Sequence, residues 1–244
     1  MIIILSPSKT MDMSEAELLE NNFSEKTHSL VKKIKTFSKE ELSKTMKIKE
    51  KILESTFDLY KNFDNAPSKS AIEAYTGFVF KGLKLKDYSE DQRSFLDNHF
   101  VILSALYGCI LPATKIKEYR LDMTMKLDSK ENPYTFWNKE INSSLVSLMD
   151  NNKEKVLVNL ASNEFSKIID RKNFPFDVVD IDFKEQKDGK FKSVATYAKK
   201  ARGIMSNYII KNMILDKDDL KSFNEEGYFY NKELSSEKKY VFTR

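Results

Sequence analysis

The stretch TYAKKARGIMSNYII, residues 196–210, sets Lys199, Lys200 and Arg202 within four residues, directly ahead of Gly203 and an apolar run. That order predicts a strand-to-helix junction with Arg202 and Gly203 opening the helix. Unsatisfied N–H groups and about half a positive charge at a helix start would then join two ammoniums and a guanidinium in holding a phosphate. Cations are unfavourable at that end of a helix, so the arrangement calls for a compensating anion. The alternative is that Lys199 and Lys200 face water while Arg202 pairs with Glu164 or Asp182. Two further segments carry candidate groups. SPSKT, residues 6–10, offers Lys9 and Thr10 to a phosphate but lacks the glycines of a nucleotide-triphosphate loop. YGCILPATKIKEYRLDM, residues 107–123, has weak periodicity and carries Tyr107, Tyr119 and Arg120, with Arg120 and Asp122 placed as either an ion pair or a substrate clamp. The chain has only five arginines among 41 basic residues, which makes Arg120 and Arg202 the more informative cations, because arginine alone offers a planar fork.

Other catalytic sets are poor. His28 and His99 lie far from the single cysteine, Cys109, so no zinc pattern, Cys-His dyad or Ser-His-Asp order is legible, and no metal or cofactor is expected. Cys109 reads as a small buried hydrophobe. Tyr134 and Trp137 sit at helical spacing, which favours a core role over stacking on bases. Asp122 and Glu164 are available as acid or base, without a spacing that singles them out.

These groups need a scaffold, and 244 residues with 41% hydrophobic content can bury a full core in one domain. The net charge of +4 is too mild to announce nucleic acid by itself. MIIIL is too short for a signal peptide, no window reaches membrane-span length, and one cysteine permits no intrachain disulfide, so a cytoplasmic protein is expected.

The scaffold reads as mixed α/β. IIIL (residues 2–5), Phe100–Leu103 and Val156–Leu160 are short apolar runs that end at small polar loops, as buried strands do. Helical spacing runs from Ser14 to about Phe63, with breaks near Asn21–Ser24 and at Ser38 that suggest three helices. SKEE (residues 38–41) and SEDQ (residues 89–92) resemble capped helix starts, and a helix is entered at Pro133. Ser162 is placed to cap a helix from Asn163. AYTGFVFKGL, residues 74–83, reads as extended with a turn at Gly77. Asp188-Gly189 is the strongest hairpin signal, its second strand running into KKARG, and a Tyr- and Phe-rich hairpin ends the chain. Four strand-like runs thus end in SPSKT, SALYG, ASNEF and AKKARG. If those ends share one sheet edge, then Ser6, Lys9, Thr10, Ser104, Tyr107, Ser162, Lys199, Lys200 and Arg202 converge on one cleft.

Taken together, IILSPSKTMD, YTGFVFKGL, LSALYGCILPATKIKEYRLDM, YTFW, NLASNEFSKII, FKEQKDGKFKSVATYAKKARGIMSNYII and FNEEGYFY resemble, in order, the YaaA peroxide-stress proteins of bacteria. The resemblance implies a single compact domain (1–244) with a mixed central sheet, surrounding helices and a positively charged cleft that binds DNA in cells responding to hydrogen peroxide. It also implies a helix-hairpin-helix element within 41–57, although that segment lacks the glycines on which such hairpins turn. The expected function is phosphate-based DNA binding of low sequence specificity through Lys9, Thr10, Arg120, Lys199, Lys200 and Arg202. The alternative is an enzyme acting on a nucleotide or damaged nucleic acid, with Lys9 or Lys200 as nucleophile. A small-molecule phosphate ligand is compatible with either.

Overall fold

The computed structural model describes residues 1–19, 23–127, 132–150 and 152–244. Its strands are β1 (Ile2–Leu5), β2 (Lys69–Ser70), β3 (Phe100–Ser104), β4 (Gly108–Ile110), β5 (Lys115–Ile116), β6 (Val156–Asn159), β7 (Asp177–Lys187), β8 (Lys190–Lys192), β9 (Phe229–Tyr230) and β10 (Lys239–Thr243). Its helices are α1 (Glu25–Lys35), α2 (Lys39–Met46), α3 (Glu50–Lys61), α4 (Ala71–Ala74), α5 (Phe78–Lys81), α6 (Glu90–His99), α7 (Pro133–Asp150), α8 (Asn163–Ser166) and α9 (Ala195–Lys211).

Eight of the strands form one sheet in the order β4-β3-β1-β6-β7-β10-β9, with β8 on β7. The pairs β3/β1, β1/β6, β6/β7 and β7/β10 are parallel, while β4, β8 and β9 add antiparallel edges. Every residue of β1, β3 and β6 is buried, which explains their unbroken apolar runs: a parallel sheet covered on both faces has no polar side. This is the expected mixed α/β domain with a mostly parallel sheet between helices.

Local signals set several boundaries. Ser38 and Glu41 close a reciprocal capping box on α2, and Ser89 and Gln92 close another on α6. Asp188 and Gly189, with φ of 53° and 70°, make the β7–β8 turn. The α2–α3 connection turns on Lys47, in the left-handed region at φ 53°.

Three expectations are corrected. The helical pattern from Ser14 does not begin a helix. The backbone of Glu17 exchanges hydrogen bonds with Ser68 at 2.9 and 2.8 Å instead, and α1 starts only after Ser24, Asn21 and Asn22 lying outside the described residues. AYTGFVFKGL is not extended, because it holds the end of α4 and all of α5. Arg202 and Gly203 do not open a helix: α9 begins seven residues before Arg202, and β8 stops at Lys192. Ala195, Ala198 and Ala201 favour helix over the extended reading that Val194, Thr196 and Tyr197 suggest.

Helix α9 lies against α5 backbone to backbone. A Cβ on Gly203 would stand 2.2 Å from the Val79 carbonyl oxygen, and one on Gly82 would stand 2.6 Å from the Gly203 carbonyl carbon. Glycine at both positions permits that approach, which fixes how far Arg202 sits from the sheet edge.

Candidate functional site

The carboxyl ends of β1 and β6 meet through two serines. The Ser6 hydroxyl donates to Ser162 Oγ at 3.1 Å and accepts the Ser162 N–H at 2.8 Å. Ser162 precedes α8 as expected, but its side chain makes no capping bond there, since it is engaged with Ser6. Strand order reverses at this corner, with β1 leading to β3 on one side and β6 to β7 on the other. Ligands of open parallel sheets collect at such points.

A cavity of about 270 Å³ opens above the serine pair. Its walls come from the loop after β1 (Ser8, Lys9, Thr10), from Gly77 to Phe80 around α5, from Tyr119 to Asp122, and from Lys199 and Arg202 of α9. The first loop is tied by hydroxyls: Ser8 Oγ and Thr10 Oγ1 are 3.1 Å apart, and Thr76 donates to Thr10 Oγ1 at 3.1 Å. Lys9 pairs with Asp122 at 2.5 Å, so Asp122 is committed to Lys9 rather than to Arg120.

The two arginines stand out. The Nε atoms of Arg120 and Arg202 are both buried without a hydrogen-bond partner, the only such side-chain atoms among the described residues. Burial pushes the Arg202 guanidinium down from its ordinary range, opposed by the charges of Asp182 and Asp180. Neither carboxylate is free to close on it. Asp180 takes a two-point contact from Arg171 at 3.0 and 2.7 Å and a bond from Asn159 at 2.6 Å. Asp182 takes Lys239 at 2.9 Å and the Ser193 hydroxyl at 3.2 Å.

Glu164, at the start of α8, adds a titratable wall. Burial raises its carboxyl, Asp122 raises it further, and Lys9, the Met123 amide and Lys199 oppose that rise. The Met123 N–H donates to Glu164 Oε1 at 3.2 Å.

Of the residues picked out from sequence, Ser6, Lys9, Thr10, Arg120, Ser162, Lys199 and Arg202 therefore come together. Three do not. Lys200 is turned away and pairs with Glu226 at 2.9 Å, because successive helical residues lie about 100° apart while Lys199 and Arg202, three apart, share a face. Ser104 is fully buried one layer below, accepting the N–H groups of Leu106 and Tyr107 and bonded at 2.8 Å to the hydroxyl of Tyr119, a residue that lines the cavity. Tyr107 is buried with its hydroxyl on the backbone of Lys117. The cations also reach the cavity from within α9, past its first turn, where backbone N–H groups are already spent on the helix. The helix-start mechanism for binding phosphate is therefore withdrawn, and the side chains alone supply the donors.

The α5 wall was missed, because its aromatics suggested a strand. The signal was the pair Gly77 and Gly82, which bracket a turn that another backbone must approach. Trp137 is core, its Nε1 donating to the Ala105 carbonyl at 2.8 Å, and burial pushes the Cys109 thiol up to about 12. Among the described residues no group of three His, Cys, Asp or Glu side chains is arranged to hold a metal, and no helix is long and apolar enough to cross a membrane.

Known proteins share this sequence along its length. Residues 1–234 match the family described as "Peroxide stress protein YaaA". The chain is 41% identical over 250 residues to the UPF0246 protein FN1762 of Fusobacterium nucleatum, covering all of this chain and 99% of that one. It is 35% identical to a UPF0246 protein of Crocosphaera subtropica and 37% identical to one of Francisella philomiragia, each over the whole of both chains. On that full-length match, the chain belongs to the peroxide stress protein YaaA family.

Proposed function

We propose that this member of a peroxide-stress family acts in the cytoplasm by binding DNA through a backbone phosphate seated in the Ser6–Ser162 cavity, with little sequence specificity. One observation carries the reading: Arg120 and Arg202 both line the same cavity, and each has a buried Nε–H without an acceptor. A buried donor left unmade costs about 1–3 kcal/mol, more for a charged group, and a phosphate oxygen removes that cost. Lys199 stands on the Arg202 face of α9 and adds a point charge.

A second reading draws on Glu164, whose raised carboxyl beside Asp122 suits a general acid in an enzyme acting on a nucleotide or damaged nucleic acid. In that case Lys9, not Lys200, is the cleft lysine.

The test is affinity for single-stranded and duplex DNA across a salt series, for wild type and Lys199→Ala/Arg202→Ala. The expected result is weaker binding of the variant with a salt slope flatter by about one to two units. Equal affinity and equal slope would remove DNA from the cavity. Turnover of a nucleotide that Glu164→Gln abolishes while binding persists would select the second reading.

A further inference from the structure

The cavity closes at its base. Ser6, Leu160 and Ser162, at the ends of two neighbouring strands, form the floor, and the sheet lies beneath. Its walls are braced. A Cβ on Gly77 would stand 2.5 Å from Ser8 Oγ, and one on Gly203 would stand 2.2 Å from the Val79 carbonyl oxygen, so the β1 loop, α5 and α9 are packed tightly against one another around it. An internal phosphate reaching that floor would have to bring the chain on both of its sides down with it.

Charge and donor count point the same way. Lys9, Arg120, Lys199 and Arg202 face Asp122 and Glu164, so four positive groups against at most two negative ones leave an excess of at least two. A bridging phosphodiester carries one negative charge, whereas a phosphomonoester carries about −1.5 to −2 at neutral pH and three unesterified oxygens. Three donor groups await them. Arg120 and Arg202 each hold an unpaired Nε–H, and Lys199 makes no ion pair among the described residues, while Lys9 is already engaged by Asp122.

We infer that the cavity selects a phosphomonoester, the terminal phosphate of a strand or of a free nucleotide, over the internal phosphodiester of a continuous strand. The inference rests on the phosphate-binding reading above and sharpens its ligand. The floor stops the phosphate, the two arginines and Lys199 take its three oxygens, and the sugar and base project toward the mouth beside the exposed Phe78.

The experiment is competition against a labelled 5′-phosphorylated single strand bound to the full-length protein. The competitors are the same strand with a 5′-phosphate, a 3′-phosphate or hydroxyl ends, a covalently closed circle of that sequence, deoxyadenosine monophosphate, and inorganic phosphate. A phosphate-ended strand is expected to compete at least about tenfold better than the circle or the hydroxyl-ended strand, a gap of about 1.4 kcal/mol. Lys199→Ala, at an exposed position, and Arg202→Lys, which keeps the charge but loses the fork, are expected to erase that preference with the far-ultraviolet circular dichroism spectrum unchanged. Competition by the free nucleotide equal to that of the phosphate-ended strand would assign the small molecule as ligand, and a requirement for the strand would assign the strand end. A circle that competes as well as the phosphate-ended strand overturns the inference and leaves DNA binding standing. Binding of the nucleotide but of no strand overturns DNA binding and leaves the inference. If none of the competitors binds, both fall.

Discussion

Lys117 and Arg202 are both cations drawn out of water, in different halves of the molecule. Lys117 is 7% exposed, and its ammonium donates to the carbonyls of Phe63 and Asp64 at 3.1 and 2.7 Å beneath the rings of Phe23 and Phe63. It ties the exit of α3 to the segment that leads into the cavity. Arg202 is half-buried in α9, but its Nε is buried without an acceptor, and Asp180 and Asp182 are bound to other partners. Where fold alone is at stake, the chain completes the cation's contacts. At Arg202 it leaves one open. Burial lowers the proton affinity of both cations, and completeness of hydrogen bonding separates the two.

Removing each cation should break the comparison in opposite directions. Lys117→Leu is expected to lower stability in urea denaturation by about 3 kcal/mol, because the ammonium that ties the Phe63 and Asp64 carbonyls to this segment is lost along with its ring contacts, while the affinity of the folded fraction for phosphate-bearing ligands holds. A smaller effect is expected from Gly203→Ala, which keeps every charge but forces α9 off the Val79 carbonyl. Stability should fall by about 2 kcal/mol, with a parallel loss of affinity that reports the displacement of Arg202. Smallest in stability is Arg202→Leu: a buried, incompletely bonded charge goes, so the urea midpoint should hold or rise by up to about 1 kcal/mol equivalent while binding is lost. A marked destabilisation by Arg202→Leu would place Arg202 with Lys117 as a structural group and erase the contrast.

Much of the scaffold was legible because single residues dictate it. Ser38 with Glu41, Ser89 with Gln92 and Asp188 with Gly189 each specify a local conformation through their own hydrogen bonds or dihedrals, and the apolar runs of β1, β3 and β6 can only be buried strands. The cavity corner followed, since Ser6 and Ser162 come directly after two such strands. What could not be read depends on partners distant in sequence. Helix α9 is seated by the contact of Gly203 with Val79, more than a hundred residues away, and that seating turns Lys199 and Arg202 to the cavity while Lys200 faces Glu226. Ser104 and Tyr107 follow a strand end, as Ser6 does, yet the Tyr119 ring roofs them over. Nor does sequence reveal that Asp122 chooses Lys9 over Arg120, a choice settled by the meeting of two loops 113 residues apart.

The register of β1 also has a bearing on synthesis. Ile3 lies opposite Phe100 on one side and Val158 on the other, so β1, made before both partners, receives its second neighbour only when β6 is made. At about 5–20 residues per second, the segment Ile2–Leu5 waits roughly 8–30 s without the partner that completes its pairing. During that interval a β-branched strand lacks one of its two neighbours, and the Ser6–Ser162 corner at its end can form only after that wait is over.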